Sequence, residues 1–500
     1  MFTLLQVSSP TLSFLDWSIL FTYGIGMLGI GWYYQRKNKT KEEYLLGGRK
    51  MKPASIGISL FASLVSTLSY ITTPGEMILH GPMIFAGILA FPLVYLIVGW
   101  WIIPAIMKTG VTSAYEILEQ KFGLSVRLLG TVMFLSLRLL WMATIIYVAV
   151  DVALSSVIQF DKAYVPLIAG LLTIITVVYT TMGGLKAVVV TDIVQSTIFL
   201  GGALLTVIIV CWHLHSVSAI FPKQWPAHWA TFALKFDPQQ RTTLANAMLS
   251  TLVWYVCTNG SDQIAVLRYL ATPDAKTARR SFKIALLSDT FASTLLALVG
   301  LSMLAYYTVN SNWLQGRPIS DQADTLFPRF ILIGMPAGLS GLLIAGLMAS
   351  AMSSLSSGLN SVSSVVSEDI INRLRKDGKK RKSLQEVKKL SLVVGIVVMI
   401  LSFIVAKVPG NLYDIIMKVV NLFVAPLFVL FFMALFVPFA TGKGTFLGGI
   451  LAVAVAVAIA FWGIGGITVL WIMPVSLVTG VVGAMCFSMI DRAVKKRLPV

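Results

Sequence analysis

Stretches of about 20 uncharged, apolar residues recur along this chain from end to end, and that recurrence limits its fold more than any other feature. A helix of that length rises roughly 30 Å, the thickness of the hydrocarbon core of a bilayer. Composition agrees, since 57% of the 500 residues are hydrophobic and 12% are charged, whereas an ordinary soluble domain carries about 25% charged residues. Thirteen spans are predicted, at about 14–34, 53–79, 83–107, 126–157, 163–181, 184–212, 243–268, 279–308, 330–367, 390–407, 411–437, 444–463 and 467–490. The expected fold class is an all-α polytopic membrane protein.

The net charge of +18 invites a nucleic-acid partner, but the placement of the charge argues for a lipid bilayer instead. With the N-terminus outside, most Lys and Arg fall in inside connectors. These hold Arg36 to Lys52, then Lys108, Lys121, Arg127 and Lys186, then Arg268 to Lys283, a run from Arg373 to Lys389, Lys443, and the tail from Arg492 to Arg497. Outside connectors keep Lys162, Lys223, Lys235, Arg241, Arg317, Arg329 and Lys407. The bias predicts a cytoplasmic C-terminus, which an odd number of spans requires. The first run, 14–34, lacks the flanks of a removable signal and reads as a retained helix. The run RLRKDGKKRK at 373–382 reads as a solvated anchor.

Several literal motifs lose to context. GIGMLG at 24–29 matches GxGxxG but follows no strand, so helix packing explains it better. Cys211, Cys257 and Cys486 are too widely spaced for a disulfide framework or a metal motif. His213 and His215 lie on different helix faces. There is no P-loop and no nucleophile–base pair. The chain reads as no enzyme, and any transport it performs must draw on a gradient.

Polar groups in hydrocarbon must be satisfied by protein or water, so buried polar clusters mark candidate sites. The stretch 350–364, SAMSSLSSGLNSVSS, has eight serines in fifteen residues. Ser350, Ser353, Ser354, Ser357, Ser361 and Ser364 share one helix face, flanked by Ser356 and Ser363. Such a stripe is either a close-packing surface whose hydroxyls bond back to their own helix or a ladder of hard oxygen ligands for a small cation. A second cluster, SLFASLVSTLSYITTPGEMILHG at 59–81, mixes polar and apolar residues and predicts a break near Pro74 and Gly75. A third, WYVCTNGSDQ at 254–263, is punctuated at Asn259 and Gly260. These interrupted spans are the second and seventh of the thirteen, the pattern of two five-helix repeats with inverted topology around a midplane site. Charged residues fall inside spans as well. Arg138 lies eleven residues past Arg127, about 16 Å deeper; it either pairs with a carboxylate for structure or grips an anionic solute. Asp192 either offsets the charge of a cation or pairs locally. Asp289 and Lys418 receive no role.

These segments, with YTTMGGLKAVVVTDIVQ, GSDQIAVLRYLATPDAKTA and VTSAYEILEQKFG, resemble the sodium:solute symporter family in order and spacing over about residues 14–440. The resemblance implies a LeuT-type five-plus-five inverted repeat with one helix before it and two after. The units would be 1–52 (first helix and basic loop), 53–212 (first repeat), 213–242 (outside loop), 243–437 (second repeat) and 438–500 (two final helices and tail). It implies Na⁺ as the coupling ion, one or two per cycle. The shared site would take carbonyl oxygens from Ala62, Val65 and Ser350 and hydroxyls from Ser353 and Ser354. A second sodium would use Asp192, Ser356 and Ser357. The solute would be lined by Ser66, Ser69, Tyr70, Thr73, Asn259, Ser261, Asp262 and Gln263, with Arg138 holding an anionic group. Asp262 and Arg138 resemble the anion carriers, including the sialic-acid carriers, more than the sugar carriers. The expected activity is sodium-coupled import of a sialic acid, another acidic sugar or a monocarboxylate by alternating access in a bacterial inner membrane, by a chain that is plausible as a monomer. The alternatives are sodium- or proton-coupled transport of a neutral sugar, polyol or amino acid, and a sensor that kept the fold without transporting.

Overall fold

A computed structural model describes residues 12–37, 47–111, 113–158, 161–367, 384–407 and 412–497. Among the described residues there are helices and no strand. The basic run at 373–382, together with Lys39 and Lys41, lies outside them. In chain order the helices are α1 (Phe14–Lys37), α2 (Pro53–Leu64), α3 (Thr67–His80), α4 (Pro82–Met107), α5 (Glu116–Phe122), α6 (Leu124–Val157), α7 (Val165–His213) and α8 (Leu244–Ser261). They continue with α9 (Gln263–Leu270), α10 (Ala275–Val309), α11 (Ala323–Ile333), α12 (Leu339–Val365), α13 (Leu384–Val405), α14 (Leu412–Phe436), α15 (Gly442–Trp462) and α16 (Val469–Lys495). Among the described residues nine helices are long and apolar enough to cross a membrane, or ten if the bent pair α2–α3 is one span. The chain is therefore a multi-pass membrane protein.

The serine-rich α12 is the most enclosed of these helices, with 83% of its most apolar window buried. It packs on α7 and α1. The Asp16 carboxylate of α1 accepts from the backbone N–H groups of Gly338 and Gly341 at 2.8 and 2.7 Å. A carboxylate there satisfies orphan donors at the start of α12 and favours its dipole. That contact fixes the helix against α1.

Both expected interruptions exist, but each is displaced along the chain. The first lies between Leu64 and Thr67, not at Pro74–Gly75. Val65 and Ser66 are extended, the Ser66 hydroxyl accepts from Leu68 N–H at 3.2 Å to cap α3, and the axes bend by 65°. Pro74 sits inside α3. The small residues around it serve a close crossing. A Cβ on Gly300 of α10 would stand 2.8 Å from the Pro74 carbonyl oxygen. The second interruption lies at Asp262, just beyond the expected Asn259–Gly260. Asp262 is extended, and its side chain caps α9 by accepting from Ile264 N–H at 2.8 Å. Asn259 and Gly260 complete the last turn of α8. In both cases a hydrogen-bonding side chain at the cap outweighs the glycine or proline nearby. A third kink, at Gly184 with φ of 61°, divides the 49-residue α7.

Candidate functional site

The last carbonyls of a helix lack donors of their own. At the end of α2 two of them meet hydroxyls of α12. The Ser353 hydroxyl donates to the Ala62 carbonyl at 3.1 Å, and the Ser354 hydroxyl donates to the Val65 carbonyl at 3.4 Å. Ser350, one turn along, shares a 2.8 Å hydrogen bond with the Thr67 hydroxyl and donates to the Leu347 carbonyl at 2.8 Å. Ser350, Ser353 and Ser354 are all buried. Break and serine stripe thus converge on one cluster of hard oxygens.

One turn towards the C-terminus of α12 stands a second cluster. The Asp192 carboxylate of α7 shares the Ser353 hydroxyl proton with the Ala62 carbonyl, at 2.6 Å, and accepts from Ser59 at 2.5 Å. Ser63 and Ser357 face each other at 2.8 Å. Ser356 turns aside and donates to the Ser353 carbonyl of its own helix at 2.9 Å. Into the centre of this cluster reaches Arg268 of α9. It was expected in an inside connector, but it is 1% exposed and buried in the bundle. All eight residues of α9 are buried. Its basic residue therefore could not be sorted from connector residues by charge counting alone.

Between α3, α6, α8, α10 and α14 lies a cavity of about 180 Å³. Its wall is mixed, with aromatic rings from Trp141, Trp254, Tyr255 and Tyr413 among aliphatic side chains, and Ser69, Thr73, Ser293, Asn421 and Asp289 supplying polarity. Val65, whose carbonyl meets Ser354, also lines it. Asp289, given no role by the sequence, accepts from the Tyr255 hydroxyl and from Ser293, the latter at 3.2 Å. A neighbouring cavity of about 150 Å³ shares Thr73, Tyr255, Ser293 and Tyr413 and reaches Glu76. There Arg241, from the loop before α8, clasps both oxygens of Glu76 at 2.8 and 2.9 Å and approaches Asp414 at 3.3 Å. Burial opposes the charge of Arg241, but the hydrogen bonds and charge of Glu76 outweigh it and hold its proton more firmly than usual.

Of the residues expected around the solute, Ser69 and Thr73 line the cavity. Ser66 is occupied as the cap of α3. The Tyr70 ring packs between Phe199 and Phe327, at 4.6 and 5.1 Å between centroids. Asn259 donates to the Tyr255 carbonyl and accepts from Tyr269, Ser261 bonds back to the Cys257 carbonyl, and Gln263 accepts from Ala114 N–H. Arg138 and Asp262 form an ion pair, 3% and 1% exposed. The arginine lies about one turn before Trp141 in α6, 5.6 Å from that ring's centroid. Trp141, Trp254, Tyr255 and Tyr413 escaped the sequence reading because aromatic residues in apolar runs look alike whether they face lipid, core or cavity.

A bundle of membrane-length helices with a bent pair, a hard-oxygen cluster beside the bend and an adjoining cavity has the features of a secondary transporter. A family model described as the sodium:solute symporter family matches residues 44–452, and the chain belongs to that family. It is 29% identical to the sodium/sialic acid symporter SiaT of Proteus mirabilis, with 90% of each chain covered. It is 28% identical to sodium-coupled monocarboxylate transporter 1 of Homo sapiens, covering 91% of this chain and 74% of that one. The solved structure of a Na⁺-coupled sialic acid symporter, in a substrate-bound outward-open state, superposes with a TM-score of 0.83 at 25% identity, covering 96% and 98%. A nucleobase-cation-symport-1 family transporter shares the fold at 15% identity and a TM-score of 0.54, covering 91% and 95%. The chain is thus a symporter that couples a small solute to sodium.

Proposed function

We propose that this chain imports a small organic anion with sodium by alternating access. The observation that carries the coupling is Val65, which meets Ser354 through its carbonyl and lines the solute cavity with the same residue. In this reading Na⁺ takes carbonyl oxygens of Ala62, Val65 and Ser350 and hydroxyls of Ser353 and Ser354 in place of its hydration shell. Binding the ion pins the end of α2 to α12, and Val65 carries that constraint to the cavity. Asp192, Ser356 and Ser357 are the proposed ligands of a second sodium. The solute is proposed as a carboxylate, like the sialic acid and monocarboxylates named for the relatives. Its carboxylate competes with Asp262 for Arg138 from the Trp141 side. Its hydroxyl or amide groups meet Asp289, Tyr255, Ser69 and Thr73.

We read the architecture as thirteen crossings, with α7 counted twice at Gly184 and α8–α9 as one broken span. The repeats are 53–212 and 243–437, the N-terminus lies outside and the C-terminus is cytoplasmic, in a bacterial inner membrane.

One observation favours a neutral hydroxylated solute instead. The cavity wall carries Asp289 and, among the described residues, no Lys or Arg. Uptake of a labelled panel into proteoliposomes, with and without a sodium gradient, separates the readings. Sodium-dependent uptake of sialic acid or a monocarboxylate is expected. Uptake confined to neutral sugars, polyols or amino acids selects the second reading, and solute uptake indifferent to sodium overturns both.

A further inference from the structure

Buried polar groups in a folded chain are almost always paired, so an unpaired one on a cavity wall points to what fills the cavity. Two residues lining the solute cavity carry such groups. Trp141 of α6 is 8% exposed and Asn421 of α14 is 1% exposed. The Trp141 Nε1–H and the Asn421 Oδ1 have no hydrogen-bond partner among the described residues. The Asn421 Nδ2 donates to the Met417 thioether at 3.1 Å, and sulfur is a weak acceptor. The amide is thus poorly satisfied whichever way it is turned. A third unpaired group, the buried Arg138 Nε–H, lies on the same helix as Trp141 and near its ring. By contrast, the Asp289 carboxylate of the same cavity already accepts from Tyr255 and Ser293.

We propose that Trp141 and Asn421 set the solute specificity: Trp141 donates to a carboxylate oxygen and Asn421 pairs with a hydroxyl, so that the chain selects hydroxylated acids over plain monocarboxylates. The proposal rests on the anion reading of this cavity and narrows its substrate class. An indole N–H and a guanidinium N–H can only donate, so the Trp141 end calls for an acceptor with several lone pairs, as a carboxylate has. An amide offers a donor and an acceptor, and a hydroxyl answers either. A hydroxylated acid therefore satisfies both residues at once. A plain acid of the same length covers Asn421 and leaves its amide unpaired. Leaving a buried polar group without a partner is costly, and a site made to bond a hydroxyl rejects the analogue that lacks it.

The test is equilibrium binding to the purified full-length protein at saturating sodium, read from the rise in unfolding temperature with ligand concentration. The probes are two matched pairs, lactate with propionate and gluconate with hexanoate, and a sialic acid. Within each pair the parent is expected to bind the hydroxylated acid about tenfold more tightly, the worth of a net hydrogen bond. Asn421→Leu, checked for monodispersity, is expected to bring that ratio close to one and to weaken sialic acid. Trp141→Phe is expected to weaken both members of a pair and keep the ratio between them. A parent that binds both members of each pair alike overturns the proposal, a result that needs no variant to fold. A ratio that survives in folded Asn421→Leu overturns it also, as does undiminished affinity in Trp141→Phe. A parent that binds none of the five acids overturns instead the anion reading beneath it.

Discussion

The two helix breaks, at Val65–Ser66 and at Asp262, use one backbone device for opposite ends. At the first break, Val65 and Ser66 leave the helical conformation, and the carbonyls freed there point at hydroxyls of α12. At the second, Asp262 leaves it, but its carboxylate both caps α9 and pairs with Arg138. The first break thus presents acceptors held only by rotatable hydroxyls, which a cation can reclaim cheaply. The second is closed by charge within the protein. A helix interruption in a membrane is therefore not by itself a binding site, and what decides is whether the neighbouring elements supply a satisfied ion pair or replaceable donors.

Four variants break or sharpen that contrast. The largest effect is expected at the second break. Arg138→Gln leaves Asp262 buried without its partner, which costs about 3–5 kcal/mol. Thermal unfolding in detergent should show a marked loss, and Arg138→Gln/Asp262→Asn should recover most of it. If the guanidinium also grips the solute, the double variant is stable yet fails to take up the anion. A single variant as stable as the parent removes the pair from the account.

Gly260→Ala comes next. The new Cβ would lie 2.3 Å from Cε2 of Phe428, and overpacking of a close contact costs roughly 1–3 kcal/mol. The expected readout is a lowered unfolding temperature with unchanged sodium affinity, and a shifted sodium affinity would show that the second break also serves the ion. At the first break the pattern reverses. Ser354→Ala should raise the half-saturating sodium concentration about tenfold, or ~1.4 kcal/mol, while uptake at saturating sodium is kept. Parallel loss of both, with folding intact, counts against a ligand role. The smallest effect belongs to Ser66→Ala, which removes the cap of α3 and costs about 1 kcal/mol. Its unfolding temperature should fall slightly. A fall as large as that of Arg138→Gln would mean that the cap, and not the cation cluster, organises this break.

How much of this was legible beforehand depends on the kind of signal. The serine stripe was readable because helical period alone puts Ser350, Ser353, Ser354 and Ser357 on one face. Existence of both breaks was readable because polar residues interrupt apolar runs. Their positions were not, since Pro74 advertises a break that α3 absorbs, while Ser66 and Asp262 are ordinary polar letters until their caps form. Arg268 and Asp289 illustrate the harder case. One resembled a connector residue and the other a stray charge, and nothing local distinguishes a buried arginine that fills a cage from one that anchors a loop.

Apolar run length, the positions of charge and the helical repeat by themselves determined that the chain is a helical membrane protein with a hydroxyl-lined helix and two interrupted spans. These are one-dimensional properties, set by hydrogen-bond satisfaction in lipid and by 3.6 residues per turn. Which partner each buried polar group takes was decided only by the tertiary structure. Arg138 goes to Asp262, Arg268 to Asp192 with Ser63 and Ser357, and Tyr255 to Asp289. The physical reason is that a buried charge must find its counterpart across helices far apart in sequence, and only packing sets which of them come within reach.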